Sequence, residues 1–527
     1  MVFEVRDKDL AGRIGKLVTK SGSIETPAFF PVVNPLRQSK EVSVNLLRDL
    51  GFTQLITNAY IIMKNLGHSV SDIHDFLGFD GVVMTDSGAY QLLRYGDEKV
   101  KLDPVEIVKF QESIGSDIAV IADIPTRDNA LYEEALHSVE ETLRRAAISS
   151  ELVMGSKTLW VLPIQGGTYL DLVSRCATVG KDFEGFSIYA IGSPVLLMEK
   201  YDYSKVFMMV LTTKRIVPID KPVHLFGAGH PMIIPFAVAL GVDMFDSASY
   251  ILYARGGRYM TERGTYLLRD LDYLPCECPI CSRYDVGSLI DMDEEERTRN
   301  LALHNLYVIL REIKNVKVAI REGRLWELLE ERARGHPSLR YLLKLFTRKD
   351  FVNWFEVLDP RIRGDSHALF LYDETSYYRP EIIRHERFLS NYISRHGGAY
   401  KDAVLIPLFI DGSYNKVSKK FNDLIVELGV SPEDTYAYIP FFTLIPTALI
   451  HTYPYSHFKL PDDVDVGTLL RFSSKLRKFI GMLVSKYRSV TVVTWRRCRW
   501  ASEAFIRKSL INLLDGRVIK LVDAVNA

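Results

Sequence analysis

An α/β architecture built on a TIM (β/α)8 barrel is the fold class the sequence predicts, and three observations predict it. Eight apolar runs recur across the first 250 residues, most of them continuous rather than alternating, and longer amphipathic segments separate most of them. Continuous apolar runs suit parallel strands buried on both faces. Strands alternating with helices form a parallel sheet, and eight such repeats in about 250 residues match a closed barrel. An open doubly wound sheet is the competing arrangement.

In chain order the runs are Thr26–Val33, Thr53–Tyr60, Gly81–Gly88, Ile118–Pro125, Leu159–Gly167, Gly185–Ser193, Pro222–Gly229 and Val242–Ser249. Between them, DPVEIVKFQESI opens with Asp103 as an N-cap and Pro104 at the first helical position. LYEEALHSVEETLRRAA, residues 131–147, has helical period. The ends of the runs carry polar residues. They include Asp86 in TDSG, Asp123, Gln165-Gly166-Gly167, Gly192-Ser193, Gly227, Gly229, His230 and Asp246. A barrel brings all of these to one face, where active sites of this fold sit. Three carboxylates with Gln and glycines at successive strand ends therefore predict a shared site.

Cysteine use separates a second feature. There are five cysteines in 527 residues, which is no disulfide framework. Cys276, Cys278 and Cys281 crowd together, and His304 follows after 22 residues in the helical stretch RNLALHNLYVIL. Three thiolates and one imidazole complete a tetrahedral Zn2+ shell with no open position, so the predicted metal is structural. Cys176 and Cys498 are expected to be ordinary buried or half-buried thiols.

Composition is that of a globular chain, with 47% hydrophobic and 25% charged residues. Lys+Arg and Asp+Glu are 66 each. That balance excludes a strongly basic nucleic-acid-coating protein and an acidic disordered one, but not a local basic patch. Residues 1–350 hold 42 basic and 47 acidic side chains, net −5, and residues 351–527 hold 24 and 19, net +5. The segment 471–508 alone has eleven Lys/Arg against Glu503. The chain has no apolar signal core, no transit pattern and no uninterrupted apolar run of about 18 residues. A reducing cytoplasmic setting without membrane attachment is expected.

Residues 360–527 do not continue the barrel repeat. Strand-like runs at Ala403–Ile410, Tyr436–Ile445, Ser489–Trp495 and Val518–Val522, and helical segments at Val466–Tyr487 and Ala501–Leu514, predict one or two accessory α/β domains over 346–527.

The stretches ETPAFFPVVNP, TDSGAYQLLRYGD, IQGG, YAIGSPV, HLFGAGHPM, FDSASYILYARGGRYMT and LPCECPIC, in that order over residues 1–345, resemble archaeal tRNA-guanine transglycosylases. The resemblance implies a barrel with an inserted zinc subdomain at 271–310. It implies exchange of guanine 15 in the D-loop of tRNA for the free base 7-cyano-7-deazaguanine (preQ0), a step toward archaeosine, with no ATP or organic cofactor. It assigns Asp246 as the nucleophile that holds tRNA covalently and Asp86 as the group that handles protons, two roles that could be exchanged. Asp123 would read the ring N–H and exocyclic amine of the base. Gln165 and the backbone from Ala190 through Gly192, Ser193, Pro194 and Val195 would contact its carbonyl and 7-substituent side. Gly166 would permit close approach, and Tyr90 would either stack on the base or pack in the core.

The resemblance continues more weakly through LDPRIRGDSHALFLYDETSYYRPEI and IPLFIDGSYN. Typical archaeal members also end in a PUA domain, which is not expected here because the chain stops after DGRVIKLVDAVNA. A separate PUA-bearing protein is therefore one expected partner, and a homodimer is another. In place of that domain, Lys475, Arg477, Lys478, Arg496, Arg497 and Arg499, beside Trp495 and Trp500, are the candidate tRNA contacts. Three alternatives remain: an anticodon-directed transglycosylase of the queuosine type, a non-catalytic tRNA-binding subunit, and the related archaeosine-forming amidotransferase. Retention of both Asp86 and Asp246 speaks against the second, and the intact barrel motifs speak against the third.

Overall fold

A computed structural model describes residues 2–36, 41–89, 102–362, 368–396, 398–408, 419–427, 431–496, 498–511, 513 and 519–523. The chain divides into two compact units, Met1–Phe346 and Thr347–Ala527.

The first unit opens with an antiparallel sheet, β1 (Phe3–Asp9), β2 (Gly12–Val18) and β3 (Ser23–Thr26). The eight predicted runs then become eight parallel strands. They are β4 (Ala28–Pro31), β5 (Gln54–Asn58), β6 (Val82–Asp86), β7 (Ile118–Val120), β8 (Leu159–Ile164), β9 (Phe186–Ile191), β10 (Val223–Leu225) and β11 (Met244–Ser247). Their order is β4-β11-β10-β9-β8-β7-β6-β5. A parallel bridge between Val32 and Ile56, with Val33 N–H donating to Ile56 O at 2.8 Å, joins the two ends. The sheet is thus a barrel and not an open doubly wound sheet.

Strand period explains what fills it. Alternate residues, among them Ala28 and Phe30, Val82 and Met84, Ile118 and Val120, Ile188 and Ala190, form one buried cluster with Ile56, Val161 and Met244. Side chains two apart share a face, so these residues are the inward set. Stepping on by two from them reaches Asn58, Asp86, Gly192 and Asp246, and two such steps from Val161 reach Gln165. The polar residues at the mouth are thus the continuation of the inward apolar rows. At the opposite pole, the buried Arg13 guanidinium bonds Asp243 bidentately at 2.7 and 2.8 Å.

The helices begin where the sequence says. Asp103 caps Pro104–Ser113, its carboxylate accepting from Val105 N at 2.7 Å and Glu106 N at 3.1 Å. The helix predicted at 131–147 runs Tyr132–Val153 and buries Ala135, Val139, Thr142 and Ala146, a stripe at three- and four-residue spacing. After the barrel come a hairpin, β12 (Arg258–Thr261) with β13 (Gly264–Leu267), and the long helix Glu294–Glu322.

The second unit is built on a five-stranded sheet. Its order is β17 (Thr443–Pro446), β16 (Thr435–Ile439), β15 (Gly398–Pro407), β19 (Tyr487–Thr494) and β20 (Ile519–Asp523). All neighbours are parallel except β16 and β17. A short parallel pair, β14 (Leu369–Phe370) and β18 (Phe458–Lys459), lies apart from that sheet. The run expected as one strand at Tyr436–Ile445 is two antiparallel strands. The chain reverses at Pro440–Phe442 without the Gly or Asn that usually marks a hairpin, with Phe441 (φ 71°) and Thr443 (φ 66°) left-handed. No helix of the described residues is long and apolar enough to cross a membrane.

Candidate active site and metal centre

Three of the predicted site residues, Asp123, Gln165 and Ser193, form one hydrogen-bonded group with Thr126 at the barrel mouth. Asp123 is buried, and Gln165 Nε2 donates to its Oδ2 at 2.6 Å. Gln165 can present that amine only if its carbonyl oxygen faces the other way. Thr126 N–H at 3.1 Å and Ser193 Oγ at 3.0 Å both donate to Oε1 and hold it so. Ser193 reaches it from a left-handed backbone (φ 59°), a conformation that non-glycine residues adopt at a cost and that clusters at functional sites. Gly192 makes room: a Cβ there would lie 2.4 Å from Gln165 Nε2 and 2.5 Å from its Cδ. Gly166 (φ 131°) lets the chain pass the helix Leu170–Gly180, where a Cβ would meet Val173 N at 2.6 Å. Pro194 and Val195 follow as the start of the short helix Val195–Glu199.

Burial drives the Asp123 carboxyl up to about 6, against the hydrogen bond from Gln165 and the positive charge of Arg145. Near neutral pH such a group is a carboxylate with few partners, able to accept from a ligand.

The other two carboxylates end the inward rows of β6 and β11, with β5 and β4 between them around the barrel. Asp86 closes β6, and Asn58 Nδ2 lies 3.3 Å from its Oδ2, the two residues being register partners across β5 and β6. Asp246 ends the inward row of β11. Its Oδ1 accepts from His224 Nε2 at 2.8 Å and from Gly227 N–H at 3.0 Å. Sequence reasoning did not single out Asn58 or His224. Both signals were present: each is a polar residue inside a continuous apolar strand. Tyr90 lies outside the described residues.

Cys276, Cys278, Cys281 and His304 converge, their ligand atoms all within 4.8 Å of one another. Cys278 Sγ is 3.5 Å from Cys281 Sγ, and His304 Nδ1 is 3.5 and 3.4 Å from the two sulfurs. Tetrahedral Zn2+ with bonds of about 2.3 Å to S and 2.0–2.1 Å to N has edges of about 3.6–3.8 Å, so the residues fit such an ion. The far nitrogen of His304 bonds Met260 O at 2.9 Å, which orients the ring as metal-binding histidines require. Tyr259 stacks on that ring at 3.7 Å and places its hydroxyl 3.3 Å from Cys281 Sγ. The hairpin β12–β13 and the long helix thus both belong to this centre.

The family model described as "Queuine tRNA-ribosyltransferase" matches residues 8–338. The chain belongs to this family of enzymes. Among similar proteins, one named tRNA-guanine(15) transglycosylase from Saccharolobus solfataricus is 46% identical over 91% of this chain and 94% of its own length. A protein of the same name from Aeropyrum pernix is 51% identical over 77% of this chain and 79% of its own. One from Methanocaldococcus jannaschii is 41% identical over 88% and 69% respectively.

Outside the barrel of this transglycosylase-family chain, the predicted RNA-contact residues are largely engaged within their own unit. Lys475 and Lys478 both pair with Glu386, the latter at 3.1 Å. Arg477 Nε donates to Ser509 O at 2.7 Å, Arg496 pairs with Asp523 at 2.6 Å, and Arg499 lies 3.7 Å from Asp463. Arg497 lies outside the described residues. The expected stacking surface is absent: Trp495 and Trp500 are buried, because their rings complete the core beneath β16 and β19. Cys176 is buried and Cys498 half-buried, as expected of ordinary thiols.

Proposed function

We propose that this transglycosylase exchanges guanine at position 15 of tRNA for 7-cyano-7-deazaguanine through a covalent Asp246–ribosyl intermediate. The observation that carries the reading is the near-full-length match to relatives named tRNA-guanine(15) transglycosylase, joined to carboxylates at the barrel mouth.

Replacing one base by another at C1′ with retained stereochemistry takes two displacements, for which a carboxylate nucleophile is suited. Asp246 attacks C1′ and the C1′–N9 bond breaks. Asp86 delivers a proton to the departing guanine and later takes one from N9 of the incoming base. Asp123 accepts from the ring N–H and exocyclic amine, and bases lacking those donors would leave a buried carboxylate unpaired. Gln165 and the segment Gly192–Val195 face the remaining edge. The target nucleotide must leave its stack before C1′ is reachable. One glycosidic bond replaces another, so the balance requires no ATP or organic cofactor.

Cys276, Cys278, Cys281 and His304 would hold one Zn2+, which with four protein ligands supplies folding energy and no chemistry. The reading also includes a cytoplasmic enzyme that works as a homodimer, with tRNA held in part by the basic residues of 346–527 and in part by a separate PUA-bearing protein. Incorporation of labelled guanine into tRNA transcripts tests the target. Loss on changing guanosine 15 to adenosine supports the reading. Incorporation into an isolated anticodon stem-loop overturns it in favour of the anticodon-directed alternative. Asp86→Ala and Asp246→Ala should each abolish exchange, and full activity in either removes its role.

A further inference from the structure

The two oxygens of Asp246 are not equivalent. Oδ1 accepts two hydrogen bonds, from His224 Nε2 and from Gly227 N–H. Among the described residues nothing donates to Oδ2, and the side chain is still 13% exposed at the barrel mouth. A carboxylate only accepts, so His224 Nε2 is the donor. The imidazole is fully buried and is held in an apolar slot, 6.1 Å from the Phe30 ring and 4.8 Å from that of Phe226. Its Nδ1 is buried without a hydrogen-bond partner among the described residues. A polar atom left unsatisfied in a core is costly, and the arrangement gives the ring one polar contact, the one to Asp246.

We propose that His224 is a positioning residue that reserves Oδ2 for bonding to the ribose C1′ and stabilises the carboxylate when it is displaced. The proposal rests on Asp246 being the nucleophile. In the first displacement an Oδ2 lone pair forms the C1′–Oδ2 bond while the C1′–N9 pair goes to guanine, with its proton from Asp86. In the second, N9 of the incoming base bonds C1′, the C1′–Oδ2 pair returns to Asp246, and the N9 proton passes to Asp86. Hydrogen bonds to Oδ1 stabilise the free carboxylate more than the neutral ester, because charge-assisted bonds are the stronger ones. Removing a donor therefore makes Asp246 a poorer leaving group and shifts the balance toward the covalent form.

The test uses His224→Phe, which keeps an aromatic ring in the slot, and His224→Gln, which restores an N–H donor. Each full-length variant is incubated with a guanosine-15 tRNA transcript, then quenched in denaturant, and covalent enzyme–tRNA is read on a gel beside exchange kinetics with free guanine. For His224→Phe the expected result is kcat lower by about tenfold, a KM for tRNA within about twofold of the parent, and a several-fold larger covalent fraction. His224→Gln should recover part of kcat and lower that fraction again. Thermal unfolding of each variant shows whether it folds. A folded His224→Phe variant with an unchanged or smaller covalent fraction overturns the proposal. Covalent enzyme–tRNA that persists in Asp246→Ala overturns instead the assignment of the nucleophile.

Discussion

Above about pH 6, Asp123 is a carboxylate that can accept two donors from a base, and below it one oxygen becomes a donor itself. Its raised value comes from burial, with the Gln165 hydrogen bond opposing. Exchange measured as kcat/KM for the free base should therefore rise with pH through about 6. In Asp123→Asn, whose side chain does not titrate, that limb should vanish, and an unchanged limb would assign it to another group. Gly192 gives a steric counterpart. A methyl group at 2.4 Å from Gln165 Nε2 would push the amide off Asp123 and away from Thr126 and Ser193. Gly192→Ala should fold normally yet lose about 10- to 100-fold in kcat/KM for the base, since several buried hydrogen bonds are broken together.

At the scale of elements, the metal centre joins pieces that are distant in sequence: the Cys276–Cys281 loop, the hairpin carrying Met260, and the helix carrying His304. Cys278→Ser should lose bound metal, measured by elemental analysis, and lower the unfolding temperature without changing which base is accepted. A metal-free, fully stable variant would refute the site. The pair His74–Asp117 ties another set of elements, with Ser21 beside it. The hydrogen bond that His74 donates to the Asp117 carboxylate raises His74 above its usual value. Burial pushes Asp117 up, but hydrogen bonds from His74, Ser21 and Val83 outweigh it and lower the carboxyl. The His74 contribution to stability is therefore full below its unfolded pKa of about 6.5 and is lost as pH rises through the raised folded value. The Asp117 contribution is present above about 3.9 and is lost as pH falls through its lowered value. Unfolding midpoints should decline as pH rises above about 6.5 and through the raised His74 value, and His74→Asn should flatten that decline.

For the molecule as a whole, the even charge balance conceals a net of −5 over residues 1–350 and +5 over 351–527. Internal pairing with Glu386, Asp523 and Asp463 neutralises much of the basic segment 471–508. The long-range field is thus weaker than a count of arginines implies. Arg496→Ala and Arg499→Ala, if these residues touch phosphate, should each weaken tRNA binding uniformly across sequences and reduce the slope of log affinity against log salt by about one. No change in slope would remove them from the interface.

Period and punctuation determined much of this protein directly from sequence. The eight continuous apolar runs became the eight barrel strands, Asp103–Pro104 opened its helix, and the cysteine spacing with His304 located a cluster that could hold a metal ion. The strands, the helix start and the three cysteines are local signals, encoded within a few residues of one another, and only His304 had to be matched across 22 residues. Other features were decided by tertiary structure alone. The reversal at Phe441 carries no turn residue, so only its pairing reveals two strands. Trp495 and Trp500 look exposed beside arginines in sequence, yet the core beneath their sheet takes both rings. Asn58 reaches Asp86 and His224 reaches Asp246 only because parallel pairing of adjacent strands fixes their register, and register is a relation between strands that no single segment contains.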